Sequence, residues 1–324
     1  MIELTDTTSS AIAAEFLRAR RRAGSPAMGM VMTLVVVADE EDAKESLAVA
    51  RAASQEHPAR LLGVVLGDGR GAPRVDAEVG IGAGASGERA LIRLSGAVTK
   101  HPESVVLPLL LPDSPVVVWW PTRAPADPAN DPLGRLARRR ITDAAAVPSG
   151  KSKAMLTQSR AYAPGNTDLA WTRVTPWRAL LAAALDQEHA KVTAACVSGE
   201  KVSPSADLLS AWLGDRLRVP VTRKVSDGPG ITEVVLNTRD GDVSIVRYDG
   251  KLATLSAPGQ PDRPVALKRR ELDELLAEEL RRLDPDEIYA ATVKALCNQS
   301  DGPEPRQAPR SQAEQAAEET QESR

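Results

Sequence analysis

The strongest constraint on the fold lies between residues 31 and 66, where two apolar runs flank one amphipathic segment that opens with four acids. Val31 to Val37 is rich in β-branched residues without a polar alternation, which suits a strand covered on both faces. Asp39, Glu40, Glu41 and Asp42 are the acids that a helix N-terminus favours, and Ala43, Leu47, Ala50 and Ala53 then recur along one helical face. Leu61 to Leu66 restores a strand. A strand–helix–strand unit crosses over right-handed, which makes its two strands parallel. The fold class this predicts is α/β.

The flanking sequence extends the pattern. Thr7 to Ser10 offer an N-cap to a helix over residues 11–22, ended by Gly24 and Pro26. Val75 to Ile81 and Ala90 to Leu94 read as strands joined by a Gly-rich turn, and Val116 to Trp120 as a buried strand stopped by Pro121. Pro121 to Pro132 describes an ordered loop, and Arg135 to Val147 a short helix with a further apolar segment. A domain boundary is expected near residue 150.

Beyond it, Thr175-Pro176 is an N-cap and first-turn pair, with Trp177, Leu180, Leu181, Ala184 and Leu185 on one stripe. A strand at 192–197, a helix at 206–216 and strands at 219–225, 231–236 and 243–248 repeat the order of the first half. Two α/β domains with mixed sheets, related as distant structural duplicates, are therefore expected. Leu272, Leu275, Leu276, Leu280 and Leu283 mark an amphipathic helix, and Asp284-Pro285 starts another. From Asn298 to Arg324 no aromatic or β-branched apolar residue occurs, so burial cannot offset the entropy of ordering. The expected organisation is an N-terminal domain over 1–150, a C-terminal domain over 151–297 and a disordered tail over 298–324.

Several function classes lose support at once. With 41 basic and 44 acidic residues the net charge is -3, too little field to gather polyanions, so no nucleic-acid role is expected. The N-terminus lacks a basic region followed by an apolar one, and the longest apolar stretch, Val105 to Trp120, is broken by Pro108, Pro112 and Pro115. No membrane association is expected, and the chain reads as cytoplasmic. The two cysteines, Cys196 and Cys297, are too few for a disulfide framework or a structural zinc site; they read as reduced thiols, with a regulatory redox pair as the other candidate role.

The short motifs lack their context. Gly82-Ala-Gly84-Ala-Ser-Gly87 has the letters of a dinucleotide fingerprint, but a strand, not a helix, is expected to follow, so it reads as a hairpin turn. Gly150-Lys151-Ser152 ends like a phosphate-binding loop whose first glycine is replaced by Ala145, and reads as a basic interdomain turn. His57, His101 and His189 have no metal-ligand spacing. No catalytic residue, metal or cofactor is expected.

Aromatic placement says more. Trp119, Trp120, Tyr162, Trp171 and Trp177 crowd one central stretch, interleaved with arginines, and Trp, Tyr and Arg dominate interface energetics. Trp177 lies on an apolar helical stripe and reads as core; Trp119 and Trp120 face opposite sides of a strand, so at least one is core. Trp171, with Asp168 and Arg173 beside it, is the first candidate for a partner surface. Trp120 and Arg123, at the carboxyl end of a strand, are the second. Arg138, Arg139 and Arg140 could meet an acidic partner surface or a phosphate, although a solvated face is the commoner fate of three adjacent cations.

Four longer stretches, Ala53-Ser-Gln-Glu-His-Pro-Ala-Arg60, the segment 104–121 with its Pro-Asp-Ser-Pro-Val-Val-Val-Trp-Trp-Pro end, Arg140-Ile-Thr-Asp143 and the segment 162–178, resemble the hallmark stretches of OpcA-type proteins. The similarity extends from Thr5 to Tyr289. It implies a partner, glucose-6-phosphate dehydrogenase, and a non-catalytic role in assembling and activating that enzyme at the start of the oxidative pentose phosphate pathway, where NADPH is made. A partner that binds the assembled, active form better than the inactive one would shift the population toward it. Some cyanobacterial relatives are linked to thioredoxin through C-terminal cysteines, a pattern that neither Cys196 nor Cys297 matches. A metabolite-sensing regulatory subunit of the same enzyme and a sugar-phosphate enzyme are the competing readings.

Overall fold

The computed structural model describes residues 2–23, 29–81, 87–187 and 191–301. Strand β1 (Ile2–Leu4) leads into α1 (Ser9–Ala23), where Thr8 Oγ1 accepts from the Ala11 amide at 3.2 Å, the cap that the sequence announces. Strand β2 (Met32–Val37) is buried at all six positions, as an alternation-free run requires. Helix α2 (Glu40–Ala53) and β3 (Ala59–Leu66) complete the crossover, and β2 and β3 are parallel, with Leu34 opposite Leu61. Strands β4 (Arg74–Ile81) and β5 (Glu88–Ser95) pair antiparallel.

After the short helix α3 (Pro102–Val106) comes β6 (Val116–Trp119), parallel to β2. The region read as a short helix and an apolar segment contains a 3-10 turn at Gly134–Leu136 and then a strand, β7 (Arg139–Thr142). Helix α4 (Lys151–Arg160), the three-residue β8 (Asn166–Asp168) and α5 (Leu169–Thr172) follow, none of which the sequence predicts. The first sheet runs β1-β4-β5-β3-β2-β6-β7-β8, so its last strand comes from sequence after residue 150.

The second half contributes α6 (Thr175–Gln187), β9 (Val192–Gly199), α7 (Pro204–Leu217), β10 (Val221–Val225), β11 (Ile231–Thr238), β12 (Asp242–Val246), β13 (Leu252–Ser256), β14 (Arg263–Ala266), α8 (Leu272–Arg281) and α9 (Glu287–Asp301). Its sheet has the order β10-β9-β11-β12-β13-β14. Only β9 and β10 are parallel, joined through α7; the other pairs are antiparallel. Each half thus carries a strand–helix–strand crossover; beyond it the first sheet adds parallel strands on both sides and ends in the antiparallel β4 and β1, whereas the second grows by hairpins.

Layering follows from which face each strand presents. On one side of the first sheet, Val35, Val118 and Trp120 pack with Ile12 and Phe16 of α1 and with Val105 and Val106 of α3. On the other, Leu34, Val117 and Trp119 pack with Ala50 and Ala53 of α2 and with Leu275, Leu276 and Leu280 of α8. Helix α8 therefore covers a sheet built from residues more than a hundred positions earlier. In the second sheet Ala195, Val197, Val234 and Leu236 form one buried face, which shares a core with α6, α7 and α9.

Helix α9 runs on through Asn298 to Asp301, where the Arg160 guanidinium pairs with the Asp301 carboxylate at 2.6 Å, so this stretch is helix where tail was expected. Residues 302–324, the bulk of that expected tail, and the motif positions 82–86 lie outside the described residues. Among the described residues no helix is long and apolar enough to cross a membrane.

Candidate functional site

The arginines and the tryptophan that the sequence singles out converge on one seam, where β7, β8 and α5 meet α8 and the start of α9. Strand β7 places Arg139 and Arg140 on opposite sides of the first sheet. Arg139 reaches α8, where its Nη2 pairs with the Glu279 carboxylate and its Nη1 donates to the Asp284 carbonyl at 2.9 Å. Glu279 also accepts from the Thr172 hydroxyl at 2.6 Å, so one buried carboxylate joins β7, α5 and α8. Arg140 turns back on its own segment, donating to Asn166 Oδ1, to the Ala137 carbonyl at 2.7 Å and to the Pro164 carbonyl. Burial holds its guanidinium pKa below the ordinary arginine value.

Asp168 ends β8 and caps α5. Its Oδ1 accepts from the Ala170 amide at 2.8 Å; its Oδ2 accepts from the Thr142 hydroxyl at 2.6 Å and the Ala144 amide at 2.9 Å. Full burial, with the neighbouring Asp143 charge as the second cause, pushes its pKa up to about 6. That value suits acid–base chemistry, but the side chain has no solvent access and both oxygens are occupied, which makes Asp168 a brace. Asp143 beside it holds Arg173 through a bidentate pair at 2.7 and 2.8 Å.

Trp171 lies at the centre of the seam. Its indole N–H donates to Asp286 Oδ2 at 2.9 Å, the Arg178 guanidinium stacks 3.6 Å from its ring, and the Tyr289 ring lies 5.7 Å away at 44°. Tyr162 meets Tyr289 edge-on at 5.9 Å. Burial lifts the Tyr289 hydroxyl well above its usual pKa. This is a cation–aromatic core in which Arg178 supplies the charge.

The expected partner-facing residues therefore divide. Trp119, Trp120, Trp171, Arg139, Arg140 and Asp168 are all buried, and in this conformation they hold the fold together. The solvated face expected of residues 138–140 applies to Arg138 alone, because the other two heads find polar partners within the protein. Arg138 and Arg123 remain at the surface, paired with Asp284 and with Asp39. Arg173 is half-buried. Cys196 and Cys297 are both free and half-buried, on β9 and α9.

Sequence reasoning missed Asp143, Glu279, Asp286, Arg178 and Tyr289. One signal was available: Glu279 falls four positions after Leu275 and three after Leu276, on the apolar stripe of α8, where a carboxylate requires a buried partner. No comparable local pattern marks the others.

Gly150-Lys151-Ser152 follows β7 and a loop and opens α4, with Gly150 in the left-handed region at φ 71°. The strand–loop–helix order of a phosphate loop is thus present without its first glycine. His57 is half-buried and His101 exposed, while His189 lies outside the described residues. Among the described residues no group of three His, Cys, Asp or Glu side chains could hold a metal ion.

Two family descriptions match the sequence: the N-terminal domain of a glucose-6-phosphate dehydrogenase subunit over residues 50–161 and the C-terminal domain of the same subunit over residues 164–293. No curated protein matches. Among solved structures, the chain is similar to KijD10, a 3-ketoreductase from Actinomadura kijaniata, with 9% identity, a TM-score of 0.45 and coverage of 82% of this chain and 94% of that one. It is also similar to an oxidoreductase from Sinorhizobium meliloti, with 10% identity, a TM-score of 0.41 and coverage of 83% and 97%. Likeness at that level carries no argument about chemistry.

Proposed function

Because the chain belongs to the OpcA-type family of glucose-6-phosphate dehydrogenase subunits, we propose that it is a non-catalytic partner that assembles and activates that dehydrogenase in the cytoplasm. The supporting observation is the paired match over residues 50–161 and 164–293, one in each half of the chain. The seam is consistent with such a role. Its strongest candidate for acid–base work, Asp168, is sealed inside three hydrogen bonds, and its arginines are committed to carboxylates and carbonyls.

Activation of this kind works by linkage: the chain binds the assembled enzyme more tightly than the unassembled one, and the population moves by that difference in affinity. Arg123 and Arg138, which stand on the surface near strand ends and the α8–α9 turn, are the proposed contacts. The test is the rate of purified dehydrogenase with and without this protein while complex size is followed by sedimentation. A higher rate together with a larger species is expected. No complex and no change in rate would reject the proposal.

A further inference from the structure

The richest unassigned feature is a cleft of about 200 Å³ where the second sheet meets the helices of the seam. Six cations line it: Lys151, Arg173, Arg247, Lys268, Arg269 and Arg270. Glu200 is the one carboxylate among its lining residues. Arg173 is neutralised by Asp143 and Arg270 by Glu278. Lys151, Lys268 and Arg269 have no carboxylate partner among the described residues, so their charges are left to whatever enters the cleft.

Arg247 is the second and independent sign. It is only 5% exposed, its Nη1 and Nη2 donate to the carbonyls of Leu267 and Ile231, and it lies 4.9 Å from the Trp177 ring. Its Nε is buried with no hydrogen-bond partner, and no carboxylate among the described residues forms an ion pair with it, Asp249 acting only from a distance. A buried guanidinium without an ion pair is costly, and a bound anion would lower that cost. Burial, then repulsion from Arg269, already lowers its pKa to about 10.

The backbone adds to the same field. Helix α4 starts at the cleft with Lys151, and a helix start presents free N–H groups and partial positive charge; α6 and α7 also start beside it, but through Pro176 and Pro204, which carry no N–H. Basic side chains beside a helix start suit a phosphate group. A cleft of about 200 Å³ is smaller than a drug-sized ligand site and has room for a phosphate group with a small moiety attached, whereas a peptide partner would need several hundred Å² of contact.

We propose that this cleft binds the phosphate group of a small phosphorylated metabolite, held by Lys151, Lys268, Arg269 and Arg247 at the start of α4 and α7. The cleft belongs to this chain alone, so the measurement needs no dehydrogenase, and its failure would leave the assembly role untouched. Calorimetry on the full chain at low ionic strength would use glucose 6-phosphate, inorganic phosphate and glucose as probes. Saturable binding of the phosphorylated probes and none of glucose is expected. The Lys151→Ala/Arg269→Ala variant, whose side chains carry no ion pair to lose, should weaken that binding at least tenfold, about 1.4 kcal/mol. Unchanged circular dichroism would show that the variant is folded.

Absence of saturable binding to either phosphate would overturn the proposal, as would binding that the double substitution leaves unchanged. If neither phosphate binds but the same variant loses its complex with the dehydrogenase, the cleft is a protein contact, and the metabolite assignment falls.

Discussion

Arg139 and Glu279, 140 positions apart in sequence, form a buried ion pair that fastens the first sheet to a helix from the far end of the chain. Both side chains are more than nine-tenths buried, so deleting one partner strands the other charge. Arg139→Met is expected to cost about 3–5 kcal/mol. Replacing both, Arg139→Met with Glu279→Leu, should cost less than the sum of the two single changes, because no charge is then left unpaired. Urea denaturation of the three variants measures this; a single-variant loss under about 1 kcal/mol would contradict it.

Asp168 gives the protein a pH-dependent stability of known sign. Its folded pKa, about 6, is raised above that of an unfolded aspartate, so the folded state holds the proton more tightly. The contribution is fully present below about pH 4 and is lost as pH rises through about 6. Asp207 and Asp131 are shifted the same way by burial, so the effect must be read as a difference between proteins. Relative to wild type, Asp168→Asn should gain on the order of 2 kcal/mol between pH 4.5 and pH 7. Parallel urea midpoints at the two pH values would rule the assignment out.

Trp171 and the surface arginines should behave in opposite ways. Trp171→Ala removes a ring stacked between Arg178 and Tyr289 and frees Asp286, so a loss of about 3–5 kcal/mol is expected, with dehydrogenase activation falling only as the fold does. Arg123→Ala and Arg138→Ala should leave thermal unfolding within about 0.5 kcal/mol of wild type, because exposed ion pairs contribute little. Their effect should show in the dehydrogenase complex. A normal complex with both arginines removed would place the contact elsewhere.

The two cysteines should not bridge within one chain. Cys196 pairs with Val235 on the sheet face opposite Ala195, Val197, Val234 and Leu236, which share the core containing Leu296 of α9. Cys297 follows Leu296 on that helix, so a whole sheet stands between the two sulfurs, beyond the reach of a disulfide. Intact mass after mild oxidation should show no loss of two hydrogens in the monomer. An internal Cys196–Cys297 peptide after digestion would refute the topology.

The parts of the fold that could be read from sequence are those whose evidence is local. Val31–Val37, the acids before Ala43 and the Thr175-Pro176 start each carry their signal within a few residues, and each became the expected element. Strand β7 did not, because its arginines look solvated until their partners, Glu279 and Pro164, are brought in from elsewhere. Strand β8 is three residues long and entirely polar, with no periodicity to detect. The same limit governed the site: Trp171 stood out as a residue type, but only tertiary structure shows that Asp286, Arg178 and Tyr289 enclose it.

Helix α8 has a consequence for synthesis. Ribosomes release the amino-terminal strands first, yet the surface formed by Leu34, Val117 and Trp119 gains its Leu275, Leu276 and Leu280 cover only after some 280 residues have been made. Until then the nascent chain carries an open apolar wall, the kind of surface that chaperones hold and that aggregation exploits. A ribosome stalled before residue 272 would leave that wall open, so quality control at the ribosome should see this protein as unfinished until helix α8 has emerged.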